Sequence, residues 1–295
     1  ISWEYKDYMP GKNEIAWVEN RLNAPLEVKK AFQFLHSDDP RTKRDGEGYI
    51  PTDQLYVLSP DSQQIMFKKA KRFTRSEMMV MELLSTNEWK RPIYFAVTIG
   101  NDYHLGLDPY LELTGLAYRI TPERSKNGRP RVNTEVMYDN MLHHFKYGNM
   151  NVPGIYIDEN TMRMCRTHRM MFLELIEALF NEGQYDKCLE VLDFAEKMLP
   201  GYNIPYDYTS ATMATYYYKL GEIEKANAIM SNVADNCAEY LAWGASLDKD
   251  HRSVSQSTLG HYMAVMGYVL QNLERYQQKE LFNQYYDIYA QYAMR

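Results

Sequence analysis

The chain is poor in the features from which a chemistry is read directly. It holds three cysteines in 295 residues, Cys165, Cys188 and Cys237, an odd number that cannot close a disulfide framework. All three lie among apolar neighbours in segments of helical period, which predicts buried small hydrophobes. No cysteines and histidines have the paired spacing of a zinc framework. Cys165 and His168 stand alone, and the adjacent His143 and His144 point to different sides of a helix. Neither a phosphate-binding glycine fingerprint nor a nucleophile elbow occurs. No metal, no cofactor and no catalytic residue is therefore assigned. Basic charge is also in deficit, with 33 Lys and Arg against 39 Asp and Glu and a net charge of −6. That excludes the positive field a nucleic-acid backbone requires, so no nucleic-acid partner is expected. The longest apolar run, residues 92–100, is far short of the ~20 residues of a membrane-spanning helix. No membrane span is expected in this chain.

What is present is ordinary globular material with room for two domains. A hydrophobic fraction of 45% and a charged fraction of 24% argue for packed cores rather than disorder. Tyrosine is abundant at 26 residues; its apolar ring and polar hydroxyl suit half-buried surfaces, interfaces and sugar-stacking platforms. The first residue is Ile1, in the middle of ordinary-looking sequence, and no secretory signal pattern follows. The expectation is a piece excised from a longer protein.

The N-terminal region mixes short strands and helices. Residues 25–36 have a helical spacing of Leu26, Val28, Phe32 and Leu35, with Pro25 placed for the first turn. The stretch "SDDPRTKRDGEG", 37–48, is charged and reads as an exposed loop. Strands are expected at 55–58 and 65–67. Thr74 and Glu77 form a capping box that opens a helix over 75–84, stopped by Asn87. Residues 93–99 read as a central strand, because a run apolar on both faces must be covered on both. A short helix from Pro109 and a strand over 116–120 follow. This order points to a small α/β domain over 1–121. "TPERSKNGRPR", 121–131, has two prolines and a glycine and marks a linker, set at 122–132.

From 133 to 295 the period is helical throughout. "FNEGQYDKCLEVLDFAEKMLP", 180–200, fits the second half of a tetratricopeptide repeat through Gly183, Tyr185, Cys188, Leu192, Ala195 and Pro200, with Phe172 and Leu175 at first-helix core positions. "YYYKLGEIEKANAIM", 216–230, repeats the centre with Tyr217, Gly221, Ile223, Ala226 and Met230. Gly183 and Gly221 are 38 residues apart, against a usual period of ~34; an insertion in "GYNIPYDY", 201–208, takes up the excess. A degenerate third pair, roughly 253–272 and 277–292, suits a capping repeat. The predicted class is α+β overall: a small α/β domain followed by an all-α tetratricopeptide-like domain.

Three places carry candidate chemistry. Asn101, Asp102, Tyr103 and His104 follow the 93–99 strand, where α/β proteins often keep their ligands; Gly100-Asn101-Asp102 is equally what a turn prefers. On the turn reading, Asp102 satisfies backbone groups while Tyr103 and His104 pack toward the repeats. Arg163, Arg166 and Arg169 recur on one helical face, either as an anion-binding stripe or, preferred here, as a solvated face paired with Asp158, Glu159 and Glu174. The inner faces of the repeats' first helices would present Glu177 and Asn181, then Tyr208, Tyr218 and Lys219, a set suited to peptide or glycan contact or to packing on the other domain.

"NEWKRPIYFAVTIGNDYHLGLDPYLELTGLAYRI", "MYDNMLHHFKYGNM", "DENTMRM" and "RDGEGYIPTDQLYV" together resemble the C-terminal region of large bacterial multi-pass membrane proteins. Their membrane half is of the GT-C, protein O-mannosyltransferase-like type, and tetratricopeptide repeats trail it. The resemblance implies a periplasmic location, tethered by an N-terminal membrane domain that is the partner of this chain. It also implies that the catalytic acid lies in that membrane half, so none is carried over. The expected function is a non-catalytic accessory domain that binds acceptor protein or glycan or stabilises the membrane half. The alternatives are a protein–protein scaffold using the repeat groove, and a carbohydrate-active enzyme with its site at residues 100–104.

Overall fold

A computed structural model describes residues 15–293, which divide into two compact units between Asn133 and Thr134. The chain is α+β overall, with its small sheets in the first unit and the second helical.

The first unit opens with β1 (Ile15–Trp17) and β2 (Leu26–Glu27), and β2 runs straight into α1 (Val28–His36). Val28, Ala31, Phe32 and Leu35 recur at helical spacing and are all buried. The predicted first turn of this helix is strand instead, because Leu26 and Glu27 pair with a later strand. Residues 37–48, expected as a loop, hold a 3₁₀ turn at Pro40–Thr42 and the hairpin β3 (Lys43–Arg44) to β4 (Glu47–Gly48). Asp45 and Gly46 between them take φ of 54° and 87°, the left-handed pair that a two-residue hairpin with right-handed strand twist needs. β5 (Leu55–Leu58) pairs in parallel with β2 and antiparallel with β6 (Gln64–Met66). β7 (Arg72–Thr74) pairs with β1 and leads into α2 (Arg75–Asn87), whose Thr74–Glu77 capping box is in place. This helix ends at Asn87, and Glu88 turns left-handed with φ 49°.

The remaining strands are β8 (Tyr94–Ala96), β9 (Leu111–Leu113), β10 (Ala117–Ile120) and β11 (Arg131–Val132), in the spatial order β11-β9-β10-β8. Here the expectation of a central strand fails. β8 is a three-residue edge strand, with Phe95 buried and Tyr94 and Ala96 exposed. A turn bond from Ile99 N–H to the Ala96 carbonyl, 3.0 Å, curls the chain away before Gly100. The helix expected at Pro109 is one 3₁₀ turn, Asp108–Tyr110. The expected linker is tied into the first unit: Ser125 N–H donates to Pro109 O at 2.7 Å, β11 pairs with β9, and Arg131 meets Glu112 and Glu123, each at 3.1 Å.

The second unit begins with α3 (Thr134–Asp139), which runs into a π-helical turn at Asn140–His144. The Asp158 carboxylate caps α4 (Glu159–Asn181) by accepting from Asn160 and Thr161 N–H. Then come α5 (Tyr185–Met198), α6 (Tyr208–Leu220), α7 (Ile223–Ser246), the short α8 (Lys249–Val254), α9 (Gln256–Arg275) and α10 (Lys279–Ala293). α4 packs on α5, α6 on α7, and α9 on both α7 and α10. Gly183 and Gly221 close the first two hairpins with φ of 74° and 87°, a backbone state that side chains with a Cβ resist. Phe172, Leu175, Cys188, Leu192, Ala195, Tyr217, Ala226 and Met230 are buried. All three cysteine thiols are buried, and burial pushes Cys188 up to about 11 and Cys237 to about 12. They stay protonated and unreactive at neutral pH. No described helix is long and apolar enough to cross a membrane.

Candidate functional site

The loop after β8 is built for packing. Asn101–His104 make a 3₁₀ turn that drives the His104 ring into the first unit's own core, leaving it 1% exposed. Phe95 stacks on it at 5.2 Å and Tyr118 meets it edge-on at 5.7 Å. Its Nδ1 lies 2.9 Å from Asp108 Oδ1, and its Nε2 has no partner among the described residues. Leu105 and Leu107 are fully buried. Gly106 has φ 78°, and a Cβ there would sit 3.1 Å from the Lys68 backbone nitrogen. Lys68 pins the loop twice: its N–H donates to Leu105 O at 2.7 Å, and its Nζ to Asp102 O at 2.8 Å. The same Nζ reaches Glu77 of the capping box at 2.9 Å.

Asn101, Asp102 and Tyr103 face solvent, and the Asp102 carboxylate makes no hydrogen bond among the described residues. Tyr103 is 61% exposed rather than packed. A neighbouring cavity of 410 Å³ takes its walls from Val80, Phe95, Ile99 and Tyr103 but includes neither Asp102 nor His104. The four polar residues do not converge on one reacting position.

The anchoring acid is thus Asp108, not Asp102 as the turn reading has it. Asp108→Ala leaves the buried Nδ1 unpaired and should cost about 1–2 kcal/mol. Asp102→Ala should stay within ~0.5 kcal/mol. Urea denaturation of both variants checks the contrast, and equal losses would refute it.

In the helical unit the candidates separate. Glu177 and Asn181 are exposed on α4, and Lys219 on α6. Tyr208 is 48% exposed, and its ring lies 4.8 Å from that of Tyr268 on α9. Tyr218 is turned into the packing instead: it stacks on Tyr276 at 4.4 Å and donates its hydroxyl to Asn227 Oδ1 at 2.5 Å. No ligand reaches it. In the sequence Glu174 stands out only as a partner of the arginine stripe, and Tyr216 and Tyr268 are not singled out. The Lys219 ammonium stands 4.0 Å above the Tyr216 ring, whose edge meets Phe180 at 5.4 Å. Burial first, then the Glu177 charge, pushes the Tyr216 hydroxyl up to about 12; Tyr268 and Glu174 act on it more weakly. Glu174 is exposed as a residue, with its carboxyl partly desolvated by its neighbours. Burial and the like charge of Glu177 raise its pKa.

The result is one surface of α4, α6 and α9 with two carboxylates, the rings of Tyr208 and Tyr268 and a lysine, laid over the buried Tyr216. Such a set offers hydrogen-bond acceptors beside flat stacking faces. Glu174 is legible after the fact, three residues before Glu177 on the same helical face.

The basic stripe resolves differently. Arg163 and Arg166 are exposed, but Arg169 is buried, so the expected solvated face does not include it. Among the described residues no group of three or more His, Cys, Asp or Glu is placed to hold a metal ion.

Residues 1–141 match a family model described as TMEM260-associated domain 2, a membrane-protein-associated domain. That match takes in the first unit and α3. No curated protein and no solved structure matches the chain significantly.

Proposed function

We propose that the chain is a non-catalytic, periplasmic accessory region of a membrane-embedded GT-C-like glycosyltransferase. In this reading its helical unit is tetratricopeptide-like and holds the acceptor, a glycan or glycan-bearing protein, on the α4–α6–α9 surface. The observation that carries the reading is the placing of Tyr208 and Tyr268 on one surface with Glu174 and Glu177, joined through the buried Tyr216. Sugar C–H faces stack on tyrosine rings, and carboxylates accept from sugar hydroxyls. The repeat reading is supported by the left-handed turn glycines Gly183 and Gly221 and by the small buried Cys188 and Ala226 between paired helices. The match to a transmembrane-protein-associated domain supports a membrane context. The scattered polar groups of the 101–104 loop favour a non-catalytic role.

In the full-length polypeptide, the double substitution Tyr208→Ala, Tyr268→Ala should lower glycan transfer about tenfold, as expected for two lost aromatic contacts. The melting temperature of the 295-residue chain should fall by only a few degrees. Undiminished transfer would overturn the proposal.

A further inference from the structure

A second surface of the helical unit has a different chemistry. The C-terminal end of α7, the short α8 and the start of α9 enclose a groove of 670 Å³. Leu241, Leu247, Leu259 and Met263 supply its apolar lining, and Lys249 and Arg252 its charge. Neither cation makes an ion pair with any described residue. The acid at the start of α8 is already engaged: Asp248 caps the helix through His251 N–H and holds the His251 ring at 2.7 Å. Asp250, between the two cations in sequence, is exposed and outside the lining, so the groove itself presents apolar side chains and two cations with no acid, the complement of an anionic amphiphile.

The surface around the groove narrows the occupant. Val254, next to the lining Ser253, is 88% exposed. Trp243 and Tyr240 are 47% and 44% exposed, and Trp243 lies one helical turn from Leu247. The Tyr240 ring stacks on Tyr262, adjacent to Met263, at 3.9 Å. An exposed valine on a short helix, with exposed Trp and Tyr on the preceding helix and Lys and Arg in the groove, is the composition of a membrane–water interface. An acidic peptide would use the two cations and leave Val254 and Trp243 in water.

We propose that this corner docks on an anionic phospholipid bilayer, with one acyl chain in the groove and the headgroup phosphate on Lys249 and Arg252. The proposal shares no residue with the acceptor surface, so either can fail alone.

The test is sedimentation of the purified 295-residue chain with vesicles of phosphatidylglycerol mixed with phosphatidylcholine. Binding should exceed that to pure phosphatidylcholine by about tenfold and weaken as salt rises. Lys249→Gln with Arg252→Gln should bring it down to the neutral-vesicle level, whereas Lys197→Gln, an exposed charge on α5, should leave it nearly unchanged. Gly260 lines the groove, and a Cβ added there meets nothing within 4 Å. Gly260→Leu should therefore fill the groove and lower binding about fivefold, without lowering the melting temperature, since leucine is the better helix former. Equal binding to neutral and anionic vesicles, wild-type binding by Gly260→Leu, or capture of a soluble acidic peptide in place of vesicles would overturn it.

Discussion

Replacing Arg169 by methionine is expected to lower the unfolding free energy of the helical unit by about 3–5 kcal/mol. The guanidinium is 1% exposed and works as a clamp on the chain between α5 and α6. It donates to Leu199 O at 3.0 Å, Ile204 O at 2.8 Å and Pro205 O at 3.0 Å. It also lies 5.4 Å from the Tyr206 ring and 3.8 Å from Asp207, the residue that caps α6. Methionine replaces the volume but none of the donors, leaving carbonyls of an irregular segment without partners in a dry interior. Burial already pushes the Glu196 carboxyl up, and the Tyr206 hydroxyl and Arg169 pull it partly back; losing the arginine removes one of those compensations. Arg169→Lys should recover only part of the loss, because one ammonium cannot present a planar fork to three separated carbonyls. Urea unfolding followed by circular dichroism measures all three proteins. A loss below about 1 kcal/mol for the methionine variant would mean that water replaces the guanidinium at little cost.

The second large effect is expected at Gly48 in the first unit. A Cβ built there lies 2.1 Å from the Leu35 carbonyl oxygen, so alanine cannot fit unless β4 separates from the end of α1. The obstacle is backbone, not a flexible side chain, and the cost should reach about 2–3 kcal/mol, the upper part of the overpacking range. Gly46, two residues earlier in the same hairpin, provides the control. Its φ is 87° but a Cβ there meets nothing within 4 Å, so Gly46→Ala should cost only the left-handed penalty of about 1–2 kcal/mol. The two variants thus separate lack of space from backbone strain. A smaller loss at Gly48 than at Gly46 in the same denaturation assay would show that the strand moves aside freely.

The features legible in the sequence are those whose physics is local. The Thr74–Glu77 capping box satisfies backbone donors within one turn, so its residues announce the start of α2 without reference to the rest of the molecule. The spacing of Val28, Phe32 and Leu35 similarly announces α1, and Gly183 and Gly221 mark the hairpin turns because few other residues accept that backbone state. Even the β3–β4 hairpin was written in the chain as Asp45-Gly46, hidden only by its charged neighbours.

What the sequence could not contain was the identity of distant partners. Arg163, Arg166 and Arg169 are equivalent by spacing; what buries the third is a set of carbonyls 30 to 36 residues away. The apolar run at 93–99 shows a strand but not its place, because an edge is defined by strands that come later and pair elsewhere. Tyr208 and Tyr218 both carried the same inward assignment. Only the packing of α9 decided that one shares an open surface with Tyr268 while the other is sealed beneath Tyr276. Local conformation is set by neighbours along the chain, whereas burial and convergence are set by neighbours in space.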